Sequence, residues 1–308
     1  MLSNQAITAR LEALISGVKV LNLRTLEGGI SASSWLAEVE HQGKECKWVV
    51  RLPGDYRYQE RHDPATHEFN VLSSLYTSME RVQKPIAVEA NESPEERKFY
   101  VMEFVEGNPL VDPIDVDDFL TQYAAGLARI HATNPPPVDL HLEEDGWETK
   151  YAALNEALHE GVIRSTLTSY ARSKKNGATL CHGDPWPGNL IWNNCILQCF
   201  IDWEEIRLCD PLFDVSITRL ELVWLLGIDA VHAWTEKYRS MSSICFDDLP
   251  YWDLCAALRP IRWVDQWAPA FAKLGRPDVT AETMTTGLKW FIEDALERSK
   301  VSKPVADQ

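Results

Sequence analysis

The sequence predicts an α+β chain in two parts, a strand-rich stretch 1–106 and a mostly helical stretch 107–308. Three observations predict it. Short apolar runs of alternating pattern fill the first hundred residues, as at Trp35–Glu40, where Trp35, Ala37 and Val39 share one face. From Asp115 onward the apolar spacing turns helical, with Val116, Phe119, Tyr123, Leu127 and Ile130 at a period near 3.6. One polar, glycine- and proline-bearing hairpin, Thr179 to Asp210, interrupts the helical part.

In chain order, Ser3 caps a first helix running to about Ile15, and Val20–Leu26 reads as a strand. Glu27–Ser34 is a loop of small residues, and Trp35–Glu40 is the next strand. Gln42-Gly43 marks a turn into Cys46–Leu52, a third strand that ends Val49-Val50-Arg51. Pro64–Tyr76 reads as a helix, with Phe69, Leu72 and Leu75 in register and Glu68 near its start. Val82–Ala90 and Phe99–Val105 are strands joined by the polar stretch 91–97, and Asn108-Pro109 ends the strand-rich part. A helix over Asp115–His131 stops at Asn134-Pro135-Pro136-Pro137. Trp147–His159 and Val162–Lys174 read as two further helices, and Asp210-Pro211 opens another that continues to about Leu226. Residues 229–300 are helical and aromatic, with Trp252-Asp253, Trp263, Asp265, Trp267, Glu293 and Asp294 interleaved.

The hairpin carries the chemistry. Leu190–Trp192 and Ile196–Ile201 are its strands, with Asn193-Asn194 as the turn. Ahead of it, His182-Gly183-Asp184-Pro185-Trp186-Pro187-Gly188-Asn189 is a loop stiffened by two prolines. Its second strand ends on Asp202, a carboxylate that must find a cation, donors or water. An Asp, an Asn five residues on, and a second Asp at a following strand end suit phosphoryl transfer. Asp184 would accept the proton of an attacking hydroxyl. Asn189 and Asp202 would hold Mg²⁺ on the phosphates of ATP, because magnesium favours hard oxygens and few carboxylates.

Composition narrows the class. The chain has 308 residues, enough for two substantial cores, with a hydrophobic share of 45% and a charged share of 25%. The net charge of −16, without a basic block, argues against nucleic acid and suits a cationic partner. No apolar run reaches membrane-span length, and the first residues lack a secretory signal pattern. Seven cysteines without a paired framework fit a reduced, cytoplasmic setting. Cys195, Cys199 and Cys209 near the motif are expected as thiols, not metal ligands.

His182-Gly183-Asp184, Asn189, Ile201-Asp202-Trp203-Glu204 and Asp210-Pro211 with Asp214 together resemble the aminoglycoside phosphotransferase and choline kinase family. Members of that family are relatives of the protein kinases. The resemblance implies a protein-kinase-like two-lobe fold: a small nucleotide-binding lobe over 1–106 with an antiparallel sheet, and a large helical lobe over 107–308 for catalysis and substrate. It implies ATP and Mg²⁺ as cofactors, the nucleotide lying in a cleft between the lobes. It also implies that Gly28, Gly29, Ser31 and Ser33 cover the phosphates, and that Glu103, Phe104 and Val105 meet the adenine edge. Arg51, or Lys47 on the same strand face, would grip phosphate, oriented by Glu68. Asp214 would brace the loop, and His131 would be structural.

Asp202 and Asp210 are separated by eight positions (210 − 202 = 8), which leaves no room for a protein-kinase activation segment. The acceptor is therefore expected to be a small molecule with a hydroxyl, of aminoglycoside, macrolide, choline or sugar type. The acidic, Trp-rich C-terminal helices suggest a cationic one. A nucleotide-binding regulator without turnover and a protein kinase are the alternatives.

Overall fold

The computed structural model describes residues 3–26, 32–90, 97–142 and 153–301. The chain divides into two compact units. The first comprises residues 1–106, 136–138 and 199–204, and the second 107–135, 139–198 and 205–308. The split falls after Glu106, and Cys199–Glu204, late in the sequence, groups with the first unit.

The first unit is built on an antiparallel sheet. It contains β1 (Val18–Leu26), β2 (Ala32–His41), β3 (Lys44–Pro53), β4 (Pro85–Val88) and β5 (Tyr100–Glu103) in the order β1-β2-β3-β5-β4. The Gln42-Gly43 turn has positive φ at both residues, the conformation that two-residue hairpins need. α1 (Asn4–Leu14) starts at Ser3, whose hydroxyl accepts from the Ala6 amide at 3.2 Å. Its buried face is Ile7 and Leu11, and these join Trp35, Val39, Trp48 and Val50 in one core. α2 (Asp55–Glu60) is short. α3 (Pro64–Ser78) has Pro64 in its first turn and Asp63 as cap, accepting from Thr66 N–H at 3.1 Å.

The second unit opens with β6 (Asn108–Pro109), followed by α4 (Val116–Ala132), capped by Asp115. The short strand β7 (His141–Leu142) precedes a single 3₁₀ turn, Glu156–Leu158, and α5 (Glu160–Ser169). These revise two expected helices. Of Trp147–His159, the described residues form only that turn, and the second helix begins earlier and ends at Ser169 rather than Lys174. β8 (Thr179–Cys181) leads into the loop and then to β9 (Leu190–Asn193) and β10 (Ile196–Phe200). The tight turn is Asn194-Cys195, both at positive φ, one residue later than expected. Cys195 is thereby exposed, whereas Cys199 and Cys209 are buried.

β11 (Arg207–Cys209) pairs antiparallel with β8 and parallel with β7. Five helices complete the unit: α6 (Leu212–Leu226), α7 (Ile228–Met241), α8 (Leu249–Leu258), α9 (Val264–Lys273) and α10 (Ala281–Val301). α6 is buried on every side, and stacked Trp234 and Tyr238, with ring centroids 5.4 Å apart, fill the space behind it. Among the described residues, no helix is long and apolar enough to cross a membrane.

Candidate active site

In the second unit the polar loop is fixed by one buried carboxylate. Gly183 has φ +90°, and a Cβ there would lie 1.9 Å from the Glu205 carbonyl oxygen, so only glycine fits. Its amide and that of His182 both donate to Asp214, at 2.9 and 2.6 Å. Asp214 stands in the first turn of α6 and is fully buried. His131, from the end of α4, bonds Asp214 through Nε2 at 3.1 Å and the Tyr238 hydroxyl through Nδ1 at 2.5 Å. Burial alone would raise the Asp214 carboxyl, but the bond and charge of His131 and the backbone donors hold it below the usual carboxylate range. His131, Cys181 and Asp214 crowd within 4.8 Å, yet the histidine nitrogens and both Asp214 oxygens are already bonded. That group is a brace, not a metal centre. The Tyr123 hydroxyl holds the next turn by donating to the Pro185 carbonyl.

So fixed, the loop ends in a 3₁₀ turn, Pro187–Asn189. The Asn189 side-chain amide donates to the Asp184 carbonyl at 3.0 Å and to its carboxylate Oδ2 at 3.2 Å. The nitrogen is committed, so the amide oxygen is the atom left for a metal. The other carboxylate oxygen of Asp184 accepts from Arg259 Nη2 at 2.8 Å. Behind this pair lies Glu221 of α6, buried, with Oε2 unpartnered among the described residues.

Burial pushes the Glu221 carboxyl up to about 8, with the Asp184 charge adding and Arg259 offsetting. A carboxyl raised in the native state holds a proton that the unfolded chain has lost. Stability therefore declines as pH rises from its ordinary 4.5 through about 8, by at most about 1.4 kcal/mol per pH unit. Glu221→Gln should flatten that decline and melt above wild type at alkaline pH. Thermal melts of both proteins across the range test it, and parallel profiles would place the proton elsewhere.

In the first unit, Arg51 lies at the end of β3, opposite Ser34 and Tyr100. The expected pairing with Glu68 is present but loose, Arg51 Nε standing 3.8 Å from its carboxylate. The closer partners are Asp202 at 2.5 Å and Glu204 at 2.7 Å, both from the segment after β10. Burial opposes the charged form of Arg51, and Asp202 leads the neighbours that restore and raise it. Glu204 also accepts from the Tyr56 hydroxyl at 2.9 Å. Burial lifts Glu68 to about 7. Asp202 has φ +66°, a left-handed conformation that a non-glycine residue adopts at a cost of order 1–3 kcal/mol. Its side chain is one-quarter exposed.

Lys47, the reserve cation, is exposed and bound to Glu106 at 2.6 Å. The Glu103 carbonyl accepts from Gln83 at 3.3 Å, and the Phe104 amide donates to Lys47 O at 3.0 Å. Ser33 sits in β2 opposite Leu52. Gly28, Gly29 and Ser31 lie outside the described residues.

The expected acidic surface of the C-terminal helices takes a different form. Asp253 is fully buried and binds Arg219 at 3.1 Å and Arg298, and Asp294 binds Arg298 at 2.7 Å. Trp252 and Trp234 are core residues, while Trp263 is exposed. Arg259 and Glu221 beside Asp184, and Glu204 beside Arg51, are neighbours the sequence reading missed. Of these, Glu204 alone carried a signal, as part of Ile201-Asp202-Trp203-Glu204.

The loop of the second unit thus holds Asp184 beside Asn189, and in the first unit Asp202 pairs with Arg51. The chain belongs to the phosphotransferase enzyme family, whose sequence profile matches residues 22–258. It is similar to acyl-CoA dehydrogenase family member 11 of Pongo abelii, with 25% identity over 181 residues, 51% of this chain. The matched stretch is 23% of that relative's length. Among solved structures it resembles a protein assigned as an aminoglycoside phosphotransferase from Ralstonia eutropha JMP134, at TM-score 0.68 and 16% identity, covering 98% of this chain and 99% of the other. It also resembles spectinomycin phosphotransferase in complex with ADP and spectinomycin, at TM-score 0.62 and 15% identity, covering 98% of each. The fold is thus the protein-kinase-like α+β fold that the resemblance implied.

Proposed function

We propose that the chain transfers the γ-phosphate of ATP to a hydroxyl of a small molecule. The observation that carries this reading is Asp184, presented by a loop that Asp214 anchors and oriented by Asn189 at 3.2 Å. In the reaction the acceptor hydroxyl gives its proton to Asp184. Its oxygen forms the new bond to the γ-phosphorus as the bond to the bridging oxygen breaks, and ADP leaves. Asn189 and Asp202 are read as the Mg²⁺ ligands by resemblance, and each offers a hard oxygen, the donor type that ion prefers. The ion, when bound, neutralises charge on the phosphates.

Arg51, positioned by Glu68, reads as the phosphate grip, and Gly28, Gly29, Ser31 and Ser33 as the phosphate cover. Glu103, Phe104 and Val105 read as the adenine edge; the Val105 amide has no intramolecular partner among the described residues. ADP in the spectinomycin phosphotransferase complex supports ATP as donor. All seven cysteines are free thiols, in keeping with the cytoplasm. A regulator that binds nucleotide without turnover is the second reading, favoured by the ion pairs that occupy Arg51. ADP release from Mg-ATP across a panel of hydroxylated small molecules decides between them, turnover upholding the enzyme.

The metal assignment has its own test. Asp202→Ala should abolish the Mg-dependent tightening of ATP binding, because it removes the charged protein ligand. Titration of ATP with and without Mg²⁺ reads this directly. A metal dependence that survives in the mutant would move the ion to other ligands.

A further inference from the structure

The group set against Asp184 is a cation. Arg259 follows α8, and its guanidinium gives one N–H, from Nη2, to Asp184. Nε and Nη1 have no partner among the described residues, and the side chain is 29% exposed. Trp267 lies under the guanidinium at 6.0 Å, which helps to hold the fork in place. A guanidinium carries five N–H donors in a rigid plane matched to a carboxylate or phosphate. Most of that capacity is unused here, beside the residue read as the proton acceptor.

The surroundings offer an ammonium group little. Of the carboxylates acting on Arg259, Asp184 is already paired with it, Glu221 is buried behind the pair and Glu205 is bound to Arg207 at 2.6 Å; Asp253 and Asp294 are bound to Arg219 and Arg298. An amine-bearing acceptor would bring a second positive charge up to the guanidinium. An acid would meet unused donors, and by drawing Arg259 toward itself would free Asp184 for the hydroxyl.

Resting on the kinase reading above, we propose that Arg259 recognises the acceptor, and that the acceptor is an acid, bearing a carboxylate or phosphate beside the hydroxyl that is phosphorylated. This replaces the cationic acceptor suggested by net charge. Net charge counts every carboxylate, including those already neutralised by an arginine.

The test uses matched sets of three: hydroxy acids of three to six carbons, their primary amides, and the amino alcohols of the same length. ADP release with Mg-ATP is scored for each, and phosphorylated products are identified by ³¹P NMR. Hydroxy acids should be turned over in preference to both partners. Arg259→Gln should raise KM for an acid by roughly 10–100-fold, the loss of a charge-assisted hydrogen-bond pair, and so narrow the acid-to-amide ratio of kcat/KM. Arg259→Lys should recover part of the preference, keeping charge without the fork.

Arg259 could instead serve the γ-phosphate, an oxyanion of the same chemistry. In that case Arg259→Gln would slow acceptor-independent ATP hydrolysis and turnover of acid and amide alike, which would overturn the proposal. So would an amide or amino alcohol used as well as its acid, no acid turned over, or the same acid-to-amide ratio in wild type and mutant. Calorimetry of Mg-ATP binding is run alongside. Failure to bind nucleotide would sink the kinase reading itself, whereas binding with turnover of amino alcohols alone would sink only the acid.

Discussion

Asp184→Asn should lower kcat by roughly 10²–10⁴, the usual worth of a positioned proton acceptor. The affinity for Mg-ATP should change little, because the role read for Asp184 concerns the acceptor hydroxyl and not the nucleotide. The substitution keeps shape and the bond from Asn189 while removing the charge and the basic oxygen. Arg259 loses its ion pair, but a pair this exposed contributes about 1 kcal/mol or less, so folding should survive. The decisive comparison is kcat beside the dissociation constant for nucleotide, measured by titration on the same preparation. Near-wild-type turnover would remove Asp184 from proton transfer. A parallel collapse of nucleotide affinity would show that the mutation had disturbed the loop and not the chemistry.

The strands and helices were legible where pattern is local. Ser3, Asp63 and Asp115 cap helices as side chains that accept amide bonds three residues on, and such signals are written in adjacent residues. Within Trp147–His159, whose first six residues lie outside the described ones, residues 153–159 misled because apolar spacing cannot tell a free-standing helix from a turn held by tertiary contacts. Here Glu160 accepts from the Asn155 amide at 2.8 Å and from Arg262 at 2.8 Å, an anchor 102 residues away. The motif residues of the site were legible because a loop with two prolines and an obligatory glycine leaves little variation in spacing. Arg259 was not. It stands in Leu258-Arg259-Pro260-Ile261-Arg262, a string with no period or motif, and reaches Asp184 across 75 positions of sequence. The partners of the acidic residues in the C-terminal helices were out of reach for a related reason. Sequence counts charges but not their partners, and Asp253 meets Arg219 and Arg298 at separations of 34 and 45 residues.

Asp214→Ala should be the most damaging single change for folding. Its two oxygens take three donors: the His182 amide at 2.6 Å, the Gly183 amide at 2.9 Å and His131 Nε2 at 3.1 Å. With no exposure at the site, water cannot substitute for a lost partner. Each buried donor left without an acceptor costs about 1–3 kcal/mol. Breaking the buried His131 pair falls within the same total, so a loss of about 3–5 kcal/mol is expected. That corresponds to a melting temperature lower by roughly 10 °C for a unit of this size. The effect should shrink in acid. Asp214 titrates below its ordinary value in the native state, so its contribution is full above 3.8 and disappears as pH falls through the native value. Activity should fall further than stability alone explains, because the two amides Asp214 holds, those of His182 and Gly183, lead directly into Asp184. Thermal melts of the mutant at neutral and acidic pH, with kcat measured well below the mutant's midpoint, separate the two effects. A midpoint within about 2 °C of wild type would mean that the loop is held by Tyr123 and its prolines, and that Asp214 is dispensable as an anchor.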